Sequence, residues 1–432
     1  MSRKVVLRFS GLVVAVLLVS LAVLAAVQLH SAGASPKQSL DYYTALTGPG
    51  QATVEKGAYL ARAGNCQTCH TTEEGSAFAG GVAFRTDFGV LYSTNITPDK
   101  TTGIGQWSFA DFFQSMKVGL RPDGEHLYPA FPYTNFALLS ESDIASLYLY
   151  LQSLDPVAAP ARNNDLKFPY NQRPLLALWK KLFHRATTYE SMTSRSLDWN
   201  RGAYLVEGVA HCGACHTPRN FLGAEKPSLA FTGGVHQDRV LLGGYRWWSA
   251  VNLTSDSSGL ASWREQDIVD YLRTGASDKA VVHGPMRDVV MHSTRYLSEG
   301  DLQAMAVYLK SLPAKQQDKR VVPSAQTTAA GEIVYTVHCG SCHLPTGLGA
   351  EGLGVALVGN PIVQAPSAAS LINVILYGPH LPERPFSVAR SNMKMFGKRL
   401  SDEDIAQLAS YLRTSFGHNA GAVTIEEVRA QR

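Results

Sequence analysis

The sequence predicts an all-α chain, in which three tandem helical units of one plan follow an N-terminal apolar segment. Three observations carry this expectation. A Cys-x-x-Cys-His pentapeptide occurs three times, as CQTCH at Cys66/Cys69/His70, CGACH at Cys212/Cys215/His216 and CGSCH at Cys339/Cys342/His343. Each copy follows a related leader, GAYLARAGN from Gly57, GAYLVEGVAH from Gly202 and the looser GEIVYTVH from Gly331. Each unit then closes on a serine with an aspartate three positions on: Ser140/Asp143, Ser298/Asp301 and Ser401/Asp404. That is a helix N-cap signal. Apolar residues at helical spacing follow it through Tyr150-Leu151, Tyr308-Leu309 and Tyr411-Leu412.

The length of 432 residues has room for about three domains of ~100–200 residues. The repeats place them at 36–160, 196–313 and 324–420. Residues 1–35 precede them, 161–195 and 314–323 link them, and 421–432 form a tail. A formal charge of +4 with scattered Lys and Arg argues against a nucleic-acid partner, which requires a concentrated basic face. Arg3, Lys4 and Arg8 flank an uncharged apolar run from Gly11 to Leu29, close to the ~20 residues that span a bilayer. It reads as a retained anchor, with a cleaved signal at Ala32-Gly33-Ala34 as the alternative. Either exports the body of the chain to the periplasmic side of the inner membrane.

All six cysteines fall in the pentapeptides, so none remains for a structural disulfide. Zinc sites pair Cys-x-x-Cys motifs, and thioredoxin-like sites need a βαβ setting; neither explains a histidine after every second cysteine. Covalent haem does. The two thiols add to the vinyl groups of one haem, and the adjacent imidazole binds its iron. The expected cofactors are therefore three haem c groups, on Cys66, Cys69, Cys212, Cys215, Cys339 and Cys342, with His70, His216 and His343 as iron ligands. This is the plan of a small helical cytochrome c domain.

An electron carrier normally has a second axial ligand, commonly a methionine, on a loop before the final helix. Met286 fits in the second unit, with Met291 as alternative, and Met393 in the third, with Met395 as alternative. The corresponding loop of the first unit, HLYPAFPYTNFALLS, has no methionine. Its sixth ligand is His126, the earlier Met116, or none. Gly57, Gly202 and Gly331 either let the first helix approach the last or merely begin helices. Trp107 and Trp263 are propionate donors or core residues. Leu175, Leu178, Trp179, Leu182 and Phe183, beside Lys180, Lys181 and Arg185, form an amphipathic helix for a membrane surface or for packing between domains.

The segments YSTNITPDKTTGIGQWS, HLYPAFPY, HCGACHTPRN and LSDEDIAQLASYLRTSFG, with Val423–Val428 after them, span nearly the whole chain. Through them the sequence resembles the triheme membrane-bound cytochrome c subunits of bacterial periplasmic dehydrogenases. The resemblance implies an electron-transfer role in partnership with a catalytic dehydrogenase of molybdenum, flavin or pyrroloquinoline-quinone type, with ubiquinone or a terminal oxidase as acceptor. It carries the axial methionines onto Met286 and Met393. Phe131 and Leu139 stand where relatives have Met, and Lys394 where a proline is common. The competing functions are a free-standing electron carrier and a haem enzyme using an open first haem. No phosphate loop, dinucleotide fingerprint or metal-hydrolase constellation suggests other chemistry.

Overall fold

The computed structural model describes residues 52–239, 244–316, 321–350, 352–379 and 393–432; the apolar run at 11–29 lies outside them. Among the described residues no helix is long and apolar enough to cross a membrane.

The repeated start signals do form helix caps. The first unit contains α1 (Val54–Ala63), α2 (Phe109–Val118) and α3 (Glu141–Gln152). α4 (Leu175–Phe183) follows in the connecting segment. The second unit contains α5 (Leu197–Ala203), α6 (Glu265–Thr274), α7 (Pro285–His292) and α8 (Glu299–Ser311). The third contains α9 (Ala325–His338), α10 (Ala369–Tyr377) and α11 (Asp402–Thr414), with α12 (Ile425–Arg429) packed on α11. The Ser140, Ser298 and Ser401 hydroxyls each accept the N–H three residues on, at 3.2, 3.1 and 3.1 Å. This satisfies one of the donors that a helix start leaves unpaired.

First and last helices pack together in every unit, and glycine makes the approach feasible. A Cβ on Gly57 would lie 1.9 Å from the Ser146 carbonyl oxygen, on Gly202 2.0 Å from that of Ala304, and on Gly331 2.2 Å from that of Gln407. The close-approach reading of these glycines therefore holds.

Two small antiparallel sheets depart from the all-α expectation. β1 (Ala83–Thr86) pairs with β2 (Gly89–Tyr92), which also pairs with β3 (Asp165–Leu166) from the connecting segment. β4 (Gly234–Arg239) pairs with β5 (Tyr245–Ala250) in the second unit. Both hairpins lie between a pentapeptide and its closing helices.

The first two units share one hydrophobic core, in which Leu60, Leu139 and Ile144 join Leu205, Leu302 and Met305. The third has its own, built on Tyr335, Ile372, Leu376, Ile405 and Leu408. It docks on β5 through polar contacts: Ser249 N–H to Ser370 Oγ at 2.8 Å and Asn373 Nδ2 to the Trp247 carbonyl at 2.8 Å. The Arg246 guanidinium also covers the Tyr377 ring at 3.3 Å.

α4 bridges the first two units. The Trp179 indole donates to the Leu222 carbonyl at 2.9 Å, and its ring meets Tyr133 edge-on. Lys180, expected on the polar face, turns inward and donates to the Val118 and Gly119 carbonyls at 2.6 and 2.8 Å, closing the end of α2. Leu178 and Leu182, 59% and 61% exposed, line a large cavity bounded by residues of the first two units.

Candidate haem-binding site

Each pentapeptide forms a short helix that turns its histidine back into the unit. The preceding residue is left-handed in the first two copies, with φ of 51° at Asn65 and 39° at His211. The histidines are then held alike. His70 Nδ1 lies 2.7 Å from the Thr94 carbonyl, His216 Nδ1 2.8 Å from that of Val251, and His343 Nδ1 2.8 Å from that of Val355. A carbonyl can only accept, so Nδ1 carries the proton and Nε2 is the nitrogen available to a metal. Burial depresses all three imidazole pKa values, against the opposing pull of the carbonyl, and so keeps the rings neutral. The histidine carbonyls accept from Gly80, Gly233 and Gly349 N–H at 2.7, 2.8 and 3.0 Å. These three glycines have φ of 78°, 98° and 66°, a region that favours glycine.

The segment common to the first two units builds the supporting carbonyl. Asn95 Oδ1 accepts the Thr97 N–H at 2.9 Å while its Nδ2 donates to the Val157 carbonyl at 2.7 Å. Asn252 does the same with Thr254 N–H at 2.8 Å and the Lys315 carbonyl at 2.8 Å. Each buried turn lies one residue beyond the carbonyl that orients the histidine. The Asn-x-Thr repeat was visible in the sequence; its role in holding Thr94 and Val251 was not.

None of the six cysteines forms a disulfide. Burial pushes the Cys66 and Cys212 thiols up to about 12, and those of Cys215 and Cys339 to about 11. A redox-active Cys-x-x-Cys pair has the opposite tendency, towards thiolate at neutral pH. A continuous cavity of about 2340 Å³ is lined by Cys66, Cys69, His70, Met116 and Phe131 of the first unit and reaches Cys215 of the second. Paired thiols beside a neutral, pre-oriented imidazole at an apolar cavity fit covalent haem.

Met286 is partly buried in the first turn of α7 and packs on the shared core. Hydrogen-bond register fixes its counterpart. Val282 N–H bonds the Gly275 carbonyl as Leu127 N–H bonds that of Gly119, and four residues after each stand Met286 and Phe131. The first unit thus has a phenyl ring where the second has a thioether. Met116 is buried and lines the cavity; His126 is half-buried beside Leu127, which also lines it. Met291 Sδ accepts from Arg295 Nη1 at 3.6 Å. Met393 packs on the third core, while Met395 is 59% exposed. The Trp263 indole donates to the Gly359 carbonyl of the third unit at 3.2 Å, so it joins units rather than reaching for a propionate. Trp107 packs on the shared core and lines the cavity.

Helices closed on glycine, with a histidine held by a backbone carbonyl beside two thiols, define a cytochrome c domain. Comparison agrees: residues 54–155 match the family described as Cytochrome c, and residues 326–412 the one described as Cytochrome C oxidase, cbb3-type, subunit III. The chain is 39% identical over 398 residues to the cytochrome c subunit of the quinone alcohol dehydrogenase of Gluconacetobacter polyoxogenes, covering 88% of this chain and 84% of that one. It is 38% identical over 396 residues to the gluconate 2-dehydrogenase cytochrome c subunit of Pantoea cypripedii, covering 88% and 90%. A subunit of the nicotinate dehydrogenase of Pseudomonas putida is 42% identical over 373 residues, which cover 84% of this chain and only 30% of that longer protein. The chain belongs to the family of cytochrome c subunits of quinone and sugar dehydrogenases.

Proposed function

We propose that the chain carries three haem c groups and relays electrons from a catalytic dehydrogenase subunit to ubiquinone or a terminal oxidase. The threefold recurrence of the histidine–carbonyl bond carries this reading, because it prepares three equivalent Nε2 atoms. Cys66/Cys69, Cys212/Cys215 and Cys339/Cys342 would hold the haems, His70, His216 and His343 their irons, and Met286 and Met393 the far axial positions of the second and third. When bound, haem supplies a one-electron ferric/ferrous couple. The chain's own residues fix the imidazoles, keep them neutral and wall the cavity with apolar side chains.

The first haem, lacking a loop methionine, has the lowest potential of the three. The chain sits on the periplasmic face of the inner membrane, held by the segment at 11–29. The partner is a molybdenum, flavin or pyrroloquinoline-quinone enzyme, and its identity sets the substrate.

The test is to purify the full chain from membranes with whatever large subunit accompanies it. Adding that subunit's substrate is expected to reduce the haems, and a quinone to reoxidise them. Haems that stay oxidised while the partner turns over with another acceptor would contradict the relay. Peroxide turnover at a carbon-monoxide-binding first haem would favour the haem-enzyme reading instead.

A further inference from the structure

The first two units are joined by a reciprocal arrangement that the third does not share. Tyr59 on α1 donates its hydroxyl to Asp301, in the first turn of α8, at 2.5 Å. Arg201 on α5 grips the same carboxylate twice, at 2.7 and 2.8 Å. In the mirror position, Tyr204 donates to Asp143 in the first turn of α3, and Lys56 pairs with that carboxylate at 2.5 Å. Each tyrosine oxygen also accepts the N–H of the opposite cap serine, Ser298 at 3.2 Å and Ser140 at 3.1 Å. Tyr59 and Tyr204 occupy the same place in the GAYL leaders, and Lys56 and Arg201 each precede its glycine. The contacts therefore obey an internal two-fold relation, in which each unit's leading helix clasps the cap of the other's closing helix. Both carboxylates are largely buried, and charge-assisted bonds of this kind are strong and directional.

Between the two clasps the haem-attachment turns meet. His211 Nε2 approaches the Gly64 carbonyl at 3.2 Å, and Ser293 Oγ donates to the Ala63 carbonyl at 3.1 Å. A Cβ on Gly64 would stand 3.3 Å from the Val209 carbonyl oxygen and 3.6 Å from Cys66 Sγ. Thus Ala63 and Gly64, which lead into Cys66, lie against the turn that leads into Cys212. In the third unit the leader position of Tyr59 is taken by Ile333, which is 67% exposed. Asp404 there bonds its own cap, to Ser401 N–H at 2.9 Å and Oγ at 2.7 Å.

We propose that Tyr59, Asp301, Tyr204 and Asp143 are positioning residues, which lock the first two units so that their attachment turns stay in contact and fix the electron-exchange distance between the first and second haems. The role rests on the haem reading above. Tunnelling falls exponentially with separation, so a small opening of this seam slows exchange without altering either haem's ligands.

The experiment uses the full-length holoprotein and the variant Tyr59→Phe/Tyr204→Phe, which removes both hydroxyls and leaves every haem residue in place. Haem content, potentials and the rate of electron equilibration after flash photoreduction by a ruthenium complex are measured together. The expected result is three haems and unchanged potentials, with first-to-second equilibration slowed several-fold. A three-haem variant that equilibrates at the parent rate would overturn the clasp and leave the haem reading intact. A parent chain without haem at the first or second motif would overturn both. If the double variant does not assemble, Tyr59→Phe alone, with Arg201 still on Asp301, is judged on the same outcomes.

Discussion

Replacing Gly57 with alanine drives a methyl group into the α1–α3 contact. The new Cβ would stand 1.9 Å from the Ser146 carbonyl oxygen and 2.6 Å from Tyr150 Cβ, so α1 must retreat by at least about 1.1 Å to reach 3.0 Å. That retreat strains the Thr53 N–H bond to Ser146 Oγ, now 3.3 Å, and loosens the packing of Leu60 in the shared core. Overpacking of this kind costs about 1–3 kcal/mol. The better helix propensity of alanine returns at most ~1 kcal/mol. The net loss is up to about 3 kcal/mol, and the two units that share the core behave as a body of roughly 150–250 residues, so Tm should drop by about 2–4 °C for each kcal/mol lost. Gly300→Ala is the internal control, because a Cβ there meets nothing within 4 Å. It should leave Tm unchanged or raise it slightly. Thermal unfolding of both variants in the haem-loaded protein decides. A Gly57→Ala protein as stable as Gly300→Ala would refute the close-packing argument.

Other consequences concern the ligands and protons. Phe131→Met places a thioether at the register of Met286, and is expected to raise the first haem's potential and intensify the far-red methionine–iron band; no spectral change would contradict the equivalence of the two positions. Met393→Gln should lower one haem potential markedly while Met395→Gln leaves all of them in place, read by potentiometric titration; the reverse pattern would reassign the ligand. Burial, helped by the Lys180 charge, holds the His126 imidazole down to about 4, against about 6.5 when unfolded. The unfolded chain therefore binds the extra proton first, and stability should fall as pH drops from about 6.5 towards 4. His126→Gln should flatten that stretch of the urea-midpoint profile, and an unchanged slope would remove His126 as its source.

Much of this was legible in the sequence because it depends on local signals. The serine caps, the leader glycines and the pentapeptides are short-range patterns, and each appears where its chemistry demands. The hairpin at Ala83–Tyr92 had a local signal too, in the Asp87-Phe88-Gly89 turn with its positive-φ glycine between two short β-prone runs, but the strength of the helical repeat hid it. What could not be read was tertiary. Nothing near Tyr59 announces Asp301, 242 positions away, and Trp263 gives no sign that its indole will reach Gly359. Lys180 looked like a solvated face residue because periodicity assigns faces, not partners. The carbonyls of Thr94, Val251 and Val355 were illegible for a further reason: a backbone group has no residue identity.

The central claim is that three pentapeptides hold three haems, each with its own pre-oriented histidine. Alkaline pyridine haemochrome quantitation, on the parent and on three variants with both cysteines of one motif changed to alanine, tests it most directly. The expected result is three haems per chain in the parent and two in each variant. A parent with two, or a variant that loses none, would contradict it.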